Sequence, residues 1–232
     1  MTQKPLIFCA IDTSDLETAI RLARNVGQVT GGLKLGMEFI NSFGPHGIEG
    51  VRKASPDAAL FIDLKFHDIP NTVAAAIRST CARFAPAYVN VHASGGLEML
   101  RAAKEACARP TKLLAVSVLT SMDDEELERI GQKTPMDEQV KRLTHLASNA
   151  GLDGVVCSAH EIETLREAYG EGFVLMVPGI RPADSSHNDQ KRVMTPQQAL
   201  EKGATHLVIG RPITGAPDPA AAAQAILDEI AG

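Results

Sequence analysis

Short apolar, β-branched runs recur along this chain at near-regular intervals, at 6–11, 30–35, 58–65, 87–92, 111–119, 153–157, 173–178 and 205–210. Runs of this length read as strands, and the stretches between them favour helix. Strands that alternate with helices pair in parallel through crossover connections. Eight such units in 232 residues predict an α/β fold, a single closed (β/α)8 barrel over residues 1–232, which typically takes about 250 residues. An open doubly wound sheet is the alternative arrangement of the same units.

Helix-start signals agree with this division. Ser14-x-x-Glu17 and Thr195-Pro196-Gln197-Gln198 read as capping boxes, Asp218-Pro219 pairs a good N-cap with proline at the first helical position, and Pro70 suits the start of the helix after the third strand. Ser94 is expected to start the next helix, which accounts for Gly95-Gly96 beside it. One long stretch lacks clear periodicity, Ile180 to Met194, and loops of that length between a strand and its helix are usually either disordered or functional lids.

Hydrophobic residues make up 44% of the chain and no low-complexity tract interrupts them, so there is material for a sizeable core. The formal charge of -5 opposes non-specific attraction to nucleic acid or an anionic membrane; an anionic ligand must be held by a few local cations. Cys9, Cys81, Cys107 and Cys157 form no CxxC pair and read as small buried hydrophobes in a reducing compartment. Leu6 to Ile11 is too short for a signal-peptide core, and no segment approaches the roughly 18 apolar residues of a membrane span, so a cytoplasmic address is expected.

A barrel of this kind carries its site at the C-terminal ends of its strands, so the polar residues that end apolar runs are the ones to collect: Asp12, Lys34, Asp63, Lys65, His92, Thr120 and Gly210-Arg211. In Phe61-Ile62-Asp63-Leu64-Lys65 the side-chain period of two sends Ile62 and Leu64 to the helices, and a carboxylate and an ammonium together toward the barrel mouth. Asp68 follows just before the next helix. Lys34 shares its face with Gly32 and Gly36, which could admit a ligand close to the backbone. Charges gathered in this way are costly to bury, and packed apolar residues would often serve stability as well, so the cluster points to use rather than architecture. Gly210-Arg211, after the last strand, suits a phosphate. His67 and His92 sit in no recognised metal-ligand spacing and read as core or supporting residues.

The segment Asp63-Leu64-Lys65-Phe66-His67-Asp68-Ile69-Pro70-Asn71-Thr72 closely resembles the signature of the orotidine 5′-monophosphate decarboxylase family. Ala10-Ile11-Asp12, Lys34, Ser117-Val118-Leu119-Thr120, Pro178-Gly179-Ile180-Arg181-Pro182 and Ile209-Gly210-Arg211-Pro212 extend the resemblance over essentially the full length. It implies cofactor-free and metal-free decarboxylation of a pyrimidine nucleotide, in which Lys65 protonates the nascent carbon between Asp63 and an Asp68 supplied by the partner of a homodimer, while Lys34 completes the charge array. It also implies Asp12 and Lys34 at the ribose, Thr72 of the partner at the ribose, Thr120 at the pyrimidine, and Gln190, Gly210, Arg211 and a lid residue, Arg181, at the phosphate. Two other readings share the barrel: a magnesium-dependent sugar-phosphate decarboxylase or aldolase, which the ammonium of Lys34 disfavours by repelling the cation, and a non-catalytic nucleotide-binding barrel.

Overall fold

The computed structural model describes residues 6–182 and 194–232. Eight strands, β1 (Ile7–Ile11), β2 (Gly31–Gly36), β3 (Ala59–Phe66), β4 (Tyr88–His92), β5 (Lys112–Val116), β6 (Gly154–Val156), β7 (Val174–Pro178) and β8 (His206–Ile209), pair in sequence order. All pairings are parallel, and β8 closes on β1 through Ile7↔Leu207, Phe8↔Val208 and Cys9↔Ile209. That closure excludes the open sheet. The crossovers are carried by α1 (Leu16–Thr30), α2 (Met37–Ala54), α3 (Pro70–Phe84) and α4 (Leu97–Ala106) in the first half of the chain. In the second half a short α5 (Asp124–Arg129) precedes α6 (Met136–Asn149), and α7 (Ile162–Tyr169), α8 (Pro196–Glu201), a four-residue α9 (Arg211–Thr214) and α10 (Pro219–Ala231) complete the ring. Among the described residues, no helix is long and apolar enough to cross a membrane.

The strands are nearly continuous apolar runs because each is buried on both faces. Ile7, Cys9, Ile11, Leu33, Ile62, Val89 and Leu113 pack outward against the helices. Phe8, Ala10, Phe61, Tyr88, Leu114, Val174, Met176 and Val208 fill the interior. At the amino-terminal end of the barrel Phe8 meets Phe61, Tyr88 and His206 edge-to-face, and the Tyr88 hydroxyl lies 2.7 Å from His206 Nε2. This aromatic layer fills the interior at that end, and the interior side chains turn polar toward the other.

Most helix starts follow the sequence. Thr195 and Gln198 form the reciprocal capping box, Asp218 accepts from the backbone N–H groups of Ala220 and Ala221, and Pro70 opens α3. Two starts differ. Asp15, rather than Ser14, caps α1, accepting from Thr18 N–H, since its carboxylate reaches the free donors one residue later than the Ser14-x-x-Glu17 pattern expects. Before α4, Ala93–Gly95 form a 3-10 turn, so the N-cap is Gly96, with φ of 87°, and Ser94 caps nothing. The fifth run also stops short: β5 ends at Val116, and Val118 and Leu119 leave the sheet to line the cavity beyond it. α2 breaks at Gly44, whose φ of 53° lies in the left-handed region, followed by Pro45, which has no N–H to continue the first segment. All four cysteines are free, and only Cys107 is not fully buried.

Candidate active site

Each strand contributes inward side chains at a period of two, and following each row past the apolar filling leads to the site. On β1 the row is Phe8, Ala10, then Asp12; on β3 it is Phe61, Asp63, Lys65; on β4 it is Tyr88, Asn90, His92. The polar residues at these row ends meet. Lys34 Nζ lies 3.4 Å from Asp12 Oδ1 and 3.2 Å from Asp63 Oδ2, and Lys65 Nζ lies 2.8 Å from Asp63 Oδ1. The result is a chain of alternating sign, Asp12–Lys34–Asp63–Lys65, drawn from three adjacent strands.

Its members differ in exposure, which sets their electrostatics. Lys34 and Asp63 are buried, whereas Lys65 is partly and Asp12 half exposed. Burial opposes the charge on Lys34, but the Asp63 and Asp12 carboxylates outweigh it and raise its pKa. Burial likewise opposes ionisation of Asp63, but Lys34 and Lys65 prevail, with help from Asn90, and its pKa falls below the ordinary carboxylate value. The buried pair is therefore ionised, each partner held charged by the other.

Lys65 stands in an unusual backbone position, with φ of 51°. The pairing of β3 with β4 shifts register between Ile62 and Phe66, and Lys65 falls within the irregular stretch. Its backbone N–H donates to Asn90 Oδ1 at 2.8 Å, and Asn90 Nδ2 donates to Asp63 Oδ1 at 2.7 Å. His92 ends β4 beside this group, its ring 5.6 Å from that of His67. Burial, then the neighbouring His67 and Lys65, lowers its pKa and favours the uncharged ring, in keeping with a supporting role.

The chain of charges borders a cavity of about 320 Å3 that opens at the carboxyl ends of the strands. Asp12, Lys34, Asp63, Lys65, Thr120, Arg181, Gly210 and Arg211 all line it. Arg181 is buried, its guanidinium donating to Ile180 O, and its backbone N–H donates to Met194 O at 3.1 Å, so the ends of the intervening segment meet at the rim. Gln190, and most of the 180–194 stretch, lie outside the described residues. Asp68 and Thr72 line no part of the cavity; both are exposed, the Asp68 carboxylate accepting from Ile69 N–H at 2.6 Å.

Gly32 and Gly36 do not serve a ligand as expected. A Cβ on Gly32 would come 2.7 Å from Ile7 O and 3.0 Å from the Phe8 ring, and one on Gly36 would meet Asp12 Oδ1 at 2.8 Å and Lys34 Nζ at 3.0 Å. The space they leave is taken by the protein's own backbone and side chains, and Gly36 makes room for the ion pair itself. Sequence reasoning missed two further features. The apolar wall of Val116, Val118, Leu119, Val156 and Val208 is continuous with the strand rows, and period two would have found most of it. Asn90 is the other, a lone amide inside Tyr-Val-Asn-Val-His and in register with Tyr88 and His92. Burial pushes the thiol of Cys157, also on the wall, well above the usual range, so it contributes apolar surface.

A half-apolar cavity at the carboxyl ends of a closed (β/α)8 sheet, with buried ionised lysine and aspartate on one flank and arginines from the last two units on the other, defines a barrel enzyme for a small anionic substrate. Comparison with known proteins narrows the class. A model of the "Orotidine 5'-phosphate decarboxylase / HUMPS family" matches residues 5–226, and the chain belongs to that family. The orotidine 5'-phosphate decarboxylase of Rhodospirillum rubrum is 51% identical over 240 residues, covering 100% of this chain and 96% of the relative. That of Shewanella sediminis is 49% identical, with 97% of each chain covered. Among solved structures, the orotidine 5'-phosphate decarboxylase of Lactobacillus acidophilus matches with a TM-score of 0.84 at 36% identity, over 99% of this chain and 100% of its own.

Proposed function

We propose that this protein is a carboxy-lyase that converts orotidine 5′-monophosphate to uridine 5′-monophosphate, with Lys65 as the proton donor. The observation that carries the reading is the alternating chain Asp12–Lys34–Asp63–Lys65 along one flank of the cavity, ending on a partly exposed ammonium. Relatives named for this activity at 51% and 49% identity, matched over nearly their whole length, support it.

The chemistry follows from where the electrons go. When the bond between ring C6 and the carboxylate breaks, CO2 departs and the electron pair stays on C6 in the ring plane, where the π system cannot delocalise it. Stabilisation must be electrostatic, and it must be stronger for the developing carbanion than for the substrate. An ammonium beside C6 provides that and then donates its proton, closing a C–H bond; the amine left on Lys65 regains a proton from water. Asp63, 2.8 Å from Lys65 Nζ, keeps the ammonium aimed. Asp12 and Lys34 suit the ribose hydroxyls, Thr120 the pyrimidine edge, and Gly210, Arg211, Arg181 and Gln190 the phosphate, whose binding energy, remote from C6, can be spent on orientation. The apolar wall suits the faces of a flat ring.

Neither cofactor nor metal enters this scheme. The two carboxylates best placed to receive a divalent ion, Asp12 and Asp63, are already shared with the Lys34 ammonium. Asp68 and Thr72, exposed and away from their own subunit's cavity, act across a homodimer interface in this proposal. Ile69 between them, 66% exposed, is a large apolar side chain that such an interface would cover.

Pure protein mixed with orotidine 5′-monophosphate should bleach the substrate absorbance and release CO2, at the same rate with or without a chelator. Inactivity of well-folded protein, or activity lost in chelator and restored by magnesium, would defeat the proposal. Lys65→Ala should abolish turnover and still bind uridine 5′-monophosphate.

A further inference from the structure

We propose that Asn90 is a positioning residue for proton delivery: its amide ties Asp63 to the backbone of Lys65 and so fixes where the Lys65 ammonium stands. This rests on the reading of Lys65 as proton donor. Asn90 is 0% exposed and lies between Val89 and Val91, each also 0% exposed, so an amide there is costly unless both its ends are bonded. Both ends are. Nδ2 donates to Asp63 Oδ1 at 2.7 Å and Oδ1 accepts from Lys65 N–H at 2.8 Å; only this amide orientation gives a donor to the carboxylate and an acceptor to the N–H.

The need for such a tie comes from the backbone. β3 and β4 lose regular register between Ile62 and Phe66, and Lys65 occupies the left-handed region at φ of 51°, which a β-carbon disfavours. Asn90 supplies the acceptor for the Lys65 N–H in this irregular stretch. The same Asp63 oxygen that takes the Asn90 amide also takes Lys65 Nζ, at 2.8 Å. One side chain therefore closes a ring through the backbone of Lys65, its side chain and Asp63. Asn90 does not itself line the cavity, so it acts through these partners.

Asn90→Asp gives a readout that a purely structural role would not. The aspartate keeps the acceptor for Lys65 N–H but can donate to Asp63 only when protonated, so residues 63 and 90 share a proton. The groups that face this pair are Lys65 and His67 from β3 and the loop after it, Lys34 from β2 with Asp12 of β1 behind it, and His92 from β4. The two lysines contact residue 63 directly and hold it ionised, so the shared proton sits on residue 90 and restores the native pattern in acid. As pH rises the proton leaves, and two carboxylates repel where a hydrogen bond stood.

The kcat of Asn90→Asp relative to native protein should therefore fall on the order of 100-fold as pH rises between about 5 and 9, with KM changed by less than roughly threefold. Asn90→Ala should lose kcat to a similar extent at every pH while product affinity holds. A ratio for Asn90→Asp that does not change with pH, or a loss that tracks the unfolded fraction measured at each pH, would overturn the proposal; so would Asn90→Ala turning over at the native rate. Lys65→Ala run in parallel separates the two ideas. Turnover retained there defeats the underlying reading, whereas turnover lost there with a flat Asn90→Asp ratio defeats this inference alone.

Discussion

Lys65 combines the ammonium proposed as proton donor with a backbone torsion that only glycine adopts freely, φ of 51°. A non-glycine residue held there stores roughly 1–3 kcal/mol. Lys65→Gly should then be more stable to urea than Lys65→Ala by about 1 kcal/mol, both lacking the ammonium; equal stabilities would contradict the strained torsion. Asp63 makes a second prediction through pH. Its folded pKa is below its unfolded one, so the stability it adds is complete above the unfolded value and is lost as pH falls through the folded value. Lys34 is the reverse: its folded pKa is raised, so its increment is complete below the unfolded value and is lost only in alkali. The stability gap between native protein and Asp63→Asn, measured by urea unfolding, should narrow as the solution is acidified below the carboxylate range, and a gap that widens there would count against the ionised Asp63. At this scale the sequence is informative where a charge ends an apolar run, as at Asp12, Lys34, Asp63 and Lys65. It is silent on the torsion of Lys65, which arises from a lapse in pairing with another strand. It is nearly silent on Asn90, whose partners are 25 and 27 positions away.

Elements were legible because their causes are local. A strand buried on both faces must be apolar throughout, and so the eight runs mark β1 to β8 closely. The fifth run overshoots because Val118 and Leu119 are apolar for a different reason, as wall of the cavity, and composition cannot separate the two uses. Caps are legible in part: Thr195 and Asp218 sit where their motifs put them, but at α1 two oxygen-bearing residues compete and the structure selects Asp15 over Ser14, and before α4 a 3-10 turn moves the N-cap from Ser94 to Gly96. Thermal unfolding should register that choice, with Asp15→Ala lowering the midpoint and Ser14→Ala leaving it unchanged. Asp218→Ala, which removes acceptors from two backbone N–H groups at the start of α10, should cost about 1 kcal/mol. An unaltered midpoint would mean that α10 does not depend on its cap.

At the scale of the whole molecule, closure of β8 onto β1 brings Arg211 and Asp12, nearly 200 positions apart in the chain, to the rim of one cavity. The barrel also leaves Asp68 and Thr72 exposed and outside that cavity, a placement that suits the proposed homodimer with exchanged residues. Subunit mixing tests this. Lys65→Ala and Asp68→Ala are each expected to be inactive alone, but a mixed dimer would hold one native site, so an equilibrated equal mixture should recover roughly a quarter of the native rate. No recovery from subunits shown to exchange would place Asp68 in its own subunit's chemistry or in none. In the proposed reaction a fixed cation waits at the one ring atom that must carry an in-plane electron pair. The most direct measurement is the distance from Lys65 Nζ to ring C6 in a crystal of this protein with uridine 5′-monophosphate bound. It should be no more than about 3.5 Å, with the phosphate at Gly210 and Arg211. A ring whose C6 faces the apolar wall, with Lys65 on its far side, would contradict the claim.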